Sequence, residues 1–282
     1  MKHVVSKVGF IGLGTMGKPI VVNIARAGFD LMVYDVRKEP VRVLSASNAK
    51  VARSVKEIAE HGELIEIVVL DDAQVEAVLV GETGVLAAAK PGTLVAIHST
   101  VLPRTLKAIV EKAAAKDIIV VDAPISGGQT GVCEKRLCYR VGGTRDAVDK
   151  CREVFGTSGT EIVHLGDAGT GTVAKIHQSD SRLYQHAGDV RRDFNRREGR
   201  FGFTVVAAGH PSQRRSELHG GSLFERIKRV AQSPQALRHQ WEGLYKTLSV
   251  ALESANDLSI SLPGTALTQQ LLAKIVGYKE VQ

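Results

Sequence analysis

No apolar run in this sequence approaches the roughly 20 residues that a bilayer-spanning helix requires, and residues Met1 to Gly9 lack the apolar core of a secretion signal. Cysteine is scarce. Cys133, Cys138 and Cys151 make up the full set of 3, an odd number with no histidine or cysteine at zinc-ligand spacing. The gap between Cys133 and Cys138 is not the C-x-x-C of a thiol oxidoreductase. No internal repeat and no low-complexity tract is present. These absences argue against a membrane protein, a disulfide scaffold, a zinc module and a solenoid, and the expectation is a cytoplasmic protein with reduced thiols.

What is present is enough apolar material for a full core: 44% of 282 residues, a length that suits one larger domain and one smaller one. The net charge of +7 is not spread evenly. Residues 177–240 hold 12 basic and 6 acidic side chains, whereas the segments on either side are close to balance. Clustered arginines at Arg191-Arg192, Arg196-Arg197 and Arg214-Arg215 raise the possibility of an anionic partner, but no recognisable nucleic-acid module accompanies them. A nucleic-acid partner is therefore not the expectation.

The first 165 residues alternate short apolar runs with helix-period stretches, the pattern of βαβ units in a parallel sheet. Strands are expected at Lys7–Ile11, Leu31–Tyr34, Ile65–Leu70, Leu94–Ile97, Ile118–Val121, Cys138–Val141 and Ile162–Leu165. Between them, Met16, Ile20, Val21 and Ile24 share one helical face, as do Leu106, Ile109, Val110 and Ala113. From Gly169 the strand signals fade, and a helix is expected from about Thr172. The expected architecture is α/β: a doubly wound, mostly parallel Rossmann-type sheet over residues 1–168, then a smaller all-α domain over 169–282. Within the latter, 177–243 is atypical, with disorder among the expectations.

Directly after the first strand stands Gly12-Leu13-Gly14-Thr15-Met16-Gly17, a G-x-G-x-x-G that opens a helix. Gly12 permits the tight turn, Gly14 lets backbone approach a pyrophosphate, and Gly17 lets helix and strand pack closely. The free N–H groups of the helix N-terminus face the phosphates. Asp35 follows 18 residues after Gly17 at the end of the second strand, where a carboxylate holds ribose hydroxyls. That pattern predicts a dinucleotide cofactor, NAD by the repulsion between Asp35 and a 2′-phosphate. Arg37 and Lys38 lie close enough to admit NADP.

Gly9 to Gly17 with Asn23 resembles the N-terminal signature of the β-hydroxyacid dehydrogenase family, and Asp122-Ala123-Pro124-Ile125-Ser126-Gly127-Gly128 resembles its substrate-binding signature. Gly169-Thr170-Gly171-Thr172-Val173-Ala174-Lys175 is similar to its catalytic signature, and Leu262-Pro263-Gly264-Thr265-Ala266 to a segment near its C-terminus. The resemblance implies hydride transfer between nicotinamide and a small 3-hydroxy acid or its semialdehyde. It implies Lys175 as proton donor and acceptor, and Ser126, Gly127 and Gly128 around the substrate carboxylate. Leu70, Asp71 and Thr100, at the ends of two strands, would line the nicotinamide side, with Lys246 also near the cofactor. A homodimer or higher homo-oligomer is implied too. His98 is expected to be a hydrogen-bonded strand-end residue with no catalytic role.

Two positions depart from the family. Ser179 stands where the family has an asparagine that orients substrate, and a hydroxyl is a shorter donor than an amide. Lys246-Thr247-Leu248 keeps the lysine of a Lys-Asp-Leu segment but not its acid. Between His177 and Gln240 the resemblance lapses. One reading is a coding frame displaced near residue 177 and restored near 244, and the other is a basic surface for an anionic partner. The second would make the protein a catalytically impaired cofactor-binding protein.

Overall fold

The computed structural model describes residues 4–38, 48–176, 234–257 and 259–276. The chain divides into two compact units, Met1–Lys175 and Ile176–Gln282. The first is built on β1 (Lys7–Ile11), β2 (Asp30–Tyr34), β3 (Lys50–Val51), β4 (Leu64–Ile67), β5 (Leu94–Ile97), β6 (Ile119–Asp122), β7 (Ile125–Ser126), β8 (Leu137–Gly142) and β9 (Gly159–Gly166). Among the described residues they form one sheet in the order β3-β2-β1-β4-β5-β6-β8-β7, with β9 paired to β8. Strands β1 to β6 are mutually parallel, and their order reverses between β1 and β4. Ligands of doubly wound sheets sit outside the carboxyl ends of the strands at such a reversal, and the glycine-rich turn leaves β1 at that edge.

Alternation along the strands divides the core into two faces. Val8, Phe10, Leu31, Val33, Leu64, Ala96 and Val121 pack with Ile20, Val21 and Ile24 of helix α1 (Gly17–Arg26). Ile11, Ile65, Ile67, Val95, Ile97 and Val120 pack on the other side, against helices that include the one at Pro103–Ala114. In that helix Leu106, Ile109 and Ala113 are buried, as the 3.6-residue period predicts.

The structure differs from the sequence-based reading in one part of the sheet. β8 runs antiparallel to β6 and to the two-residue β7, which it follows after the short helix Gly128–Cys133. Such a short strand carries no alternation for a sequence pattern to register. The second unit shows Pro234–Asp257 and Pro263–Val276 as helices, with Gln269 Nε2 donating to Ser249 Oγ at 2.7 Å between them. Residues expected to continue the helix beyond 176 lie outside the described residues.

Two buried polar features hold the sheet's carboxyl edge. Glu66 and His98 sit on one face of β4 and the end of β5, 1% and 4% exposed, with His98 Nε2 3.4 Å from Glu66 Oε2. His98 Nδ1 lies 2.8 Å from the carbonyl oxygen of Ala123 and donates to it. Nε2 and the Glu66 carboxylate stand at ion-pair distance without a hydrogen bond between them, in a core walled by Tyr139 and Phe155. The second feature is Asp122, fully buried at the end of β6. Its carboxylate accepts the backbone N–H of Gly169 and of Thr172, each at 2.6 Å. It thereby caps the helix described over residues 170–176.

His98→Leu is expected to leave Glu66 unpaired and to lower stability by roughly 3–5 kcal/mol in urea unfolding, with Glu66→Leu in the same chain recovering most of that loss. Asp122→Asn keeps one acceptor and turns an amide group toward the other N–H. It should cost about 1.5–3 kcal/mol in the same measurement, and an unchanged unfolding midpoint would contradict the cap.

Candidate active site

Each glycine of the turn between β1 and α1 meets a different constraint. Gly12 has φ +100°, and a Cβ there would fall 2.1 Å from the carbonyl oxygen of Val68. A Cβ on Gly17 would fall 1.9 Å from the carbonyl oxygen of Gly12, so helix and strand could not approach. A Cβ on Gly14 would meet nothing within 4 Å, which leaves the turn open where a pyrophosphate would lie. Thr15 is exposed and Met16 half-buried at the same mouth. No side chain caps α1 and no acidic residue lies in its first turn, so its positive dipole end is open to phosphate oxygens, although the Lys18 N–H is already bonded to Gly14 O at 3.2 Å. The turn fits a dinucleotide. Asn23, within the same signature, is buried and donates to Val132 O at 3.1 Å and Ser158 Oγ at 3.2 Å, so its work is to join α1 to the far end of the sheet.

Asp35 lies beside this turn. Its carboxylate accepts the Leu13 N–H at 2.7 Å, the Arg37 N–H at 2.8 Å and the Arg37 guanidinium at 3.1 and 3.2 Å. Burial works against its charge, but the Arg37 guanidinium and the two amides outweigh it and hold the carboxyl below the ordinary carboxylate value. Leu13 is thus tied to Asp35 through its backbone while its side chain is fully buried.

Further along the same edge, Leu70 is 65% exposed and Asp71 caps the helix Asp72–Leu79, accepting the Gln74 N–H at 2.9 Å. The Asp71 carboxylate is therefore occupied in local structure. Ser99 joins the neighbouring strand ends, donating to Val69 O at 2.7 Å and accepting from Val69 N at 3.0 Å. Thr100, next in sequence, is half-buried.

The third group of expected residues converges on β7. Lys175 Nζ lies 2.9 Å from the Ile125 carbonyl oxygen and 2.9 Å from Ser126 Oγ. Both of these contacts are to uncharged acceptors, a backbone carbonyl and a hydroxyl. Asp122 explains how it comes to be there, since the carboxylate that caps the Lys175 helix ends the strand leading into Ser126. Gly171 allows that helix to lie close, because a Cβ there would fall 2.3 Å from the carbonyl oxygen of Arg140. Burial pushes the Asp122 carboxyl up in pKa while the amides of Gly169 and Thr172 pull it back. Gly127 and Gly128 follow Ser126 with φ of +129° and +64°, exposed at the rim. Lys246 is half-buried on a helix of the second unit, and Ser179 lies outside the described residues.

Sequence reasoning passed over two residues that the geometry brings in. Asp122 was quoted within a motif without a part of its own. Arg140 was read only as one residue of a strand, yet its Nη1 donates to Ser126 Oγ at 3.0 Å. The available signal was an arginine inside the otherwise uncharged run Leu137-Cys138-Tyr139-Arg140-Val141.

Comparison with known proteins identifies the family. The NAD binding domain of 6-phosphogluconate dehydrogenase, as a family, matches residues 7–166. An oxidoreductase of Mycobacterium tuberculosis is 32% identical over 278 residues, covering 96% of this chain and 93% of its own. The 2-hydroxy-3-oxopropionate reductase of Escherichia coli is 32% identical over 269 residues, covering 94% and 89%. The solved 3-hydroxyisobutyrate dehydrogenase of M. tuberculosis with L-serine superposes with a TM-score of 0.76 at 22% identity, over 96% of this chain and 93% of that one, and shares the fold. The chain therefore belongs to the β-hydroxyacid dehydrogenase family of NAD(P)-dependent oxidoreductases.

Proposed function

We propose that this protein transfers a hydride between nicotinamide and a small 3-hydroxy acid or its semialdehyde, with Lys175 as the proton donor and acceptor. The observation that carries the reading is the Lys175 ammonium, held 2.9 Å from two uncharged oxygens beside the Ser126–Gly128 loop. Bound cofactor supplies or accepts the hydride at the carbon bearing the oxygen. In reduction, Lys175 gives a proton from Nζ to the carbonyl oxygen as charge develops there, and a proton from solvent restores the ammonium. In oxidation the neutral amine accepts the hydroxyl proton. Ser126, Gly127 and Gly128 hold the carboxylate end through the hydroxyl and the exposed backbone N–H groups.

The substrate class also rests on the relatives. Their names, 2-hydroxy-3-oxopropionate reductase, 3-hydroxyisobutyrate dehydrogenase and NAD-dependent L-serine dehydrogenase, denote short carboxylates with oxygen on the third carbon. On the cofactor side we assign Gly12 to Gly17 to the pyrophosphate, Asp35 to the ribose, and Leu70, Asp71, Thr100 and Lys246 to the remaining contacts. Residues 1–168 then form the cofactor domain. Residues 169–282, with Ser179 as a substrate contact, form the substrate and dimerisation domain. No specific observation favours a cofactor-binding protein without turnover.

Initial rates of NADH and NADPH oxidation with a panel of short semialdehydes test the reading. Lys175→Met should lower kcat by about 100- to 10,000-fold with a smaller change in KM, and a variant retaining its rate would remove the lysine from the chemistry. Asp35→Ala should weaken NADH binding by roughly 10- to 100-fold and NADPH binding much less, as read by cofactor fluorescence titration. Equal losses for the two cofactors would show that Asp35 supports the turn without contacting the ribose.

A further inference from the structure

Ser126 Oγ is approached by two cations. Lys175 Nζ donates to it at 2.9 Å and Arg140 Nη1 at 3.0 Å. The strand register explains the second. β7 and β8 are antiparallel with Ser126 opposite Cys138, so the alternation of β8 places Cys138 and Arg140 on the Ser126 face while Leu137, Tyr139 and Val141 turn into the core. Arg140 is half-buried, and among the described residues no carboxylate is paired with it. A guanidinium carries five donors, and Ser126 is the side chain that receives one of them here. Partly withdrawing a charge from water without a counter-ion is unfavourable, and an apolar residue at this position of β8 would avoid it. Glu161, opposite Cys138 on β9, acts on that thiol but forms no ion pair with Arg140, so a ligand that brings a carboxylate to the guanidinium accounts for the arginine.

The chemistry of the two cations divides the work between them. An ammonium paired directly with a carboxylate holds its proton more tightly and becomes a poorer acid. A guanidinium does not deprotonate in proteins and matches a carboxylate with two parallel N–H bonds. Resting on the hydride-transfer reading above, we propose that Arg140 receives the substrate's carboxylate together with Ser126 Oγ. Arg140 is then the residue that makes an anionic end a requirement, and Lys175 is left for the carbonyl oxygen. The substrate is a carboxylate, and neutral carbonyl compounds of the same size are turned away.

The test uses the full chain in three forms: wild type, Arg140→Met and Arg140→Lys. Each is titrated calorimetrically with 3-hydroxypropanoate in the presence of saturating NAD, and assayed for reduction of 3-oxopropanoate and of its methyl ester. Arg140→Met should raise the dissociation constant of the acid and its KM by roughly 10- to 100-fold, with kcat changed far less. The preference of the enzyme for acid over ester should collapse by the same factor. Arg140→Lys, which keeps the charge and loses the fork, should recover part of it. Equal losses for acid and ester would overturn the proposal, since an arginine that only shapes the loop would affect both alike, as would acid binding that Arg140→Met leaves intact. A wild type that reduces neither compound defeats the hydride-transfer reading. The calorimetric titration then still decides Arg140: acid binding lost in Arg140→Met upholds the receptor, and a wild type that binds no acid overturns it.

Discussion

The carboxylate of Asp122 receives the amide protons of Gly169 and Thr172 at 2.6 Å each from a position of complete burial. By that contact the end of β6 and the start of the Lys175 helix become one rigid corner. Three residues beyond Asp122 along the chain lies Ile125, whose carbonyl oxygen accepts from Lys175, and then Ser126. The loop from Ala123 to Ser126 is also held from the opposite side, where His98 donates to the Ala123 carbonyl oxygen. For the proton-transfer role proposed for Lys175, Nζ needs to be fixed to within a fraction of an ångström, and a long flexible side chain does not achieve that alone. Here a cap on the helix and a clamp on the loop, both made by buried polar groups, restrict where that side chain starts and what it meets.

Much of this was legible in the sequence where the constraint is local. The glycine-rich turn could be read because Gly12 and Gly17 exclude any Cβ for steric reasons that follow from a tight strand-to-helix turn. Asp35 could be read because its place depends only on one βαβ unit. The residues that escaped notice, Asp122 and Arg140, act through pairings between distant parts of the chain. Asp122 meets amides 47 and 50 residues away. Arg140 meets Ser126 only because β8 turns back antiparallel on a strand two residues long. Neither the return nor its register leaves a periodic trace, so the strand was found while the direction its arginine faces was not.

The two arginines near the carboxyl edge of the sheet make an instructive contrast. Arg37 lies against Asp35 in a bidentate pair, its charge matched within the protein. A matched pair neither attracts nor repels strongly at a distance, so if Asp35 holds the ribose as proposed, the choice between NAD and NADP would depend on whether Arg37 stays on Asp35 or turns to a 2′-phosphate. Arg140 has a hydroxyl for a partner where Arg37 has a carboxylate. With Lys175 it brings two cations to Ser126 Oγ, while the one carboxylate that acts on the neighbouring Cys138, Glu161, is not ion-paired with Arg140.

That difference bears on how a modest fold obtains selectivity. A serine hydroxyl and two glycine amides bind any small oxyanion and many neutral acceptors with similar strength, because each contributes a hydrogen bond of ordinary size. A guanidinium without an ion-pair partner changes the comparison. A carboxylate ligand satisfies it, whereas a neutral ligand displaces water and leaves the charge without a partner, so discrimination arises as much from the penalty on the wrong ligand as from attraction to the right one. On the proposed reading the same arrangement protects the chemistry, since negative charge taken up at Arg140 is charge that does not settle on Lys175 and hold its proton in place.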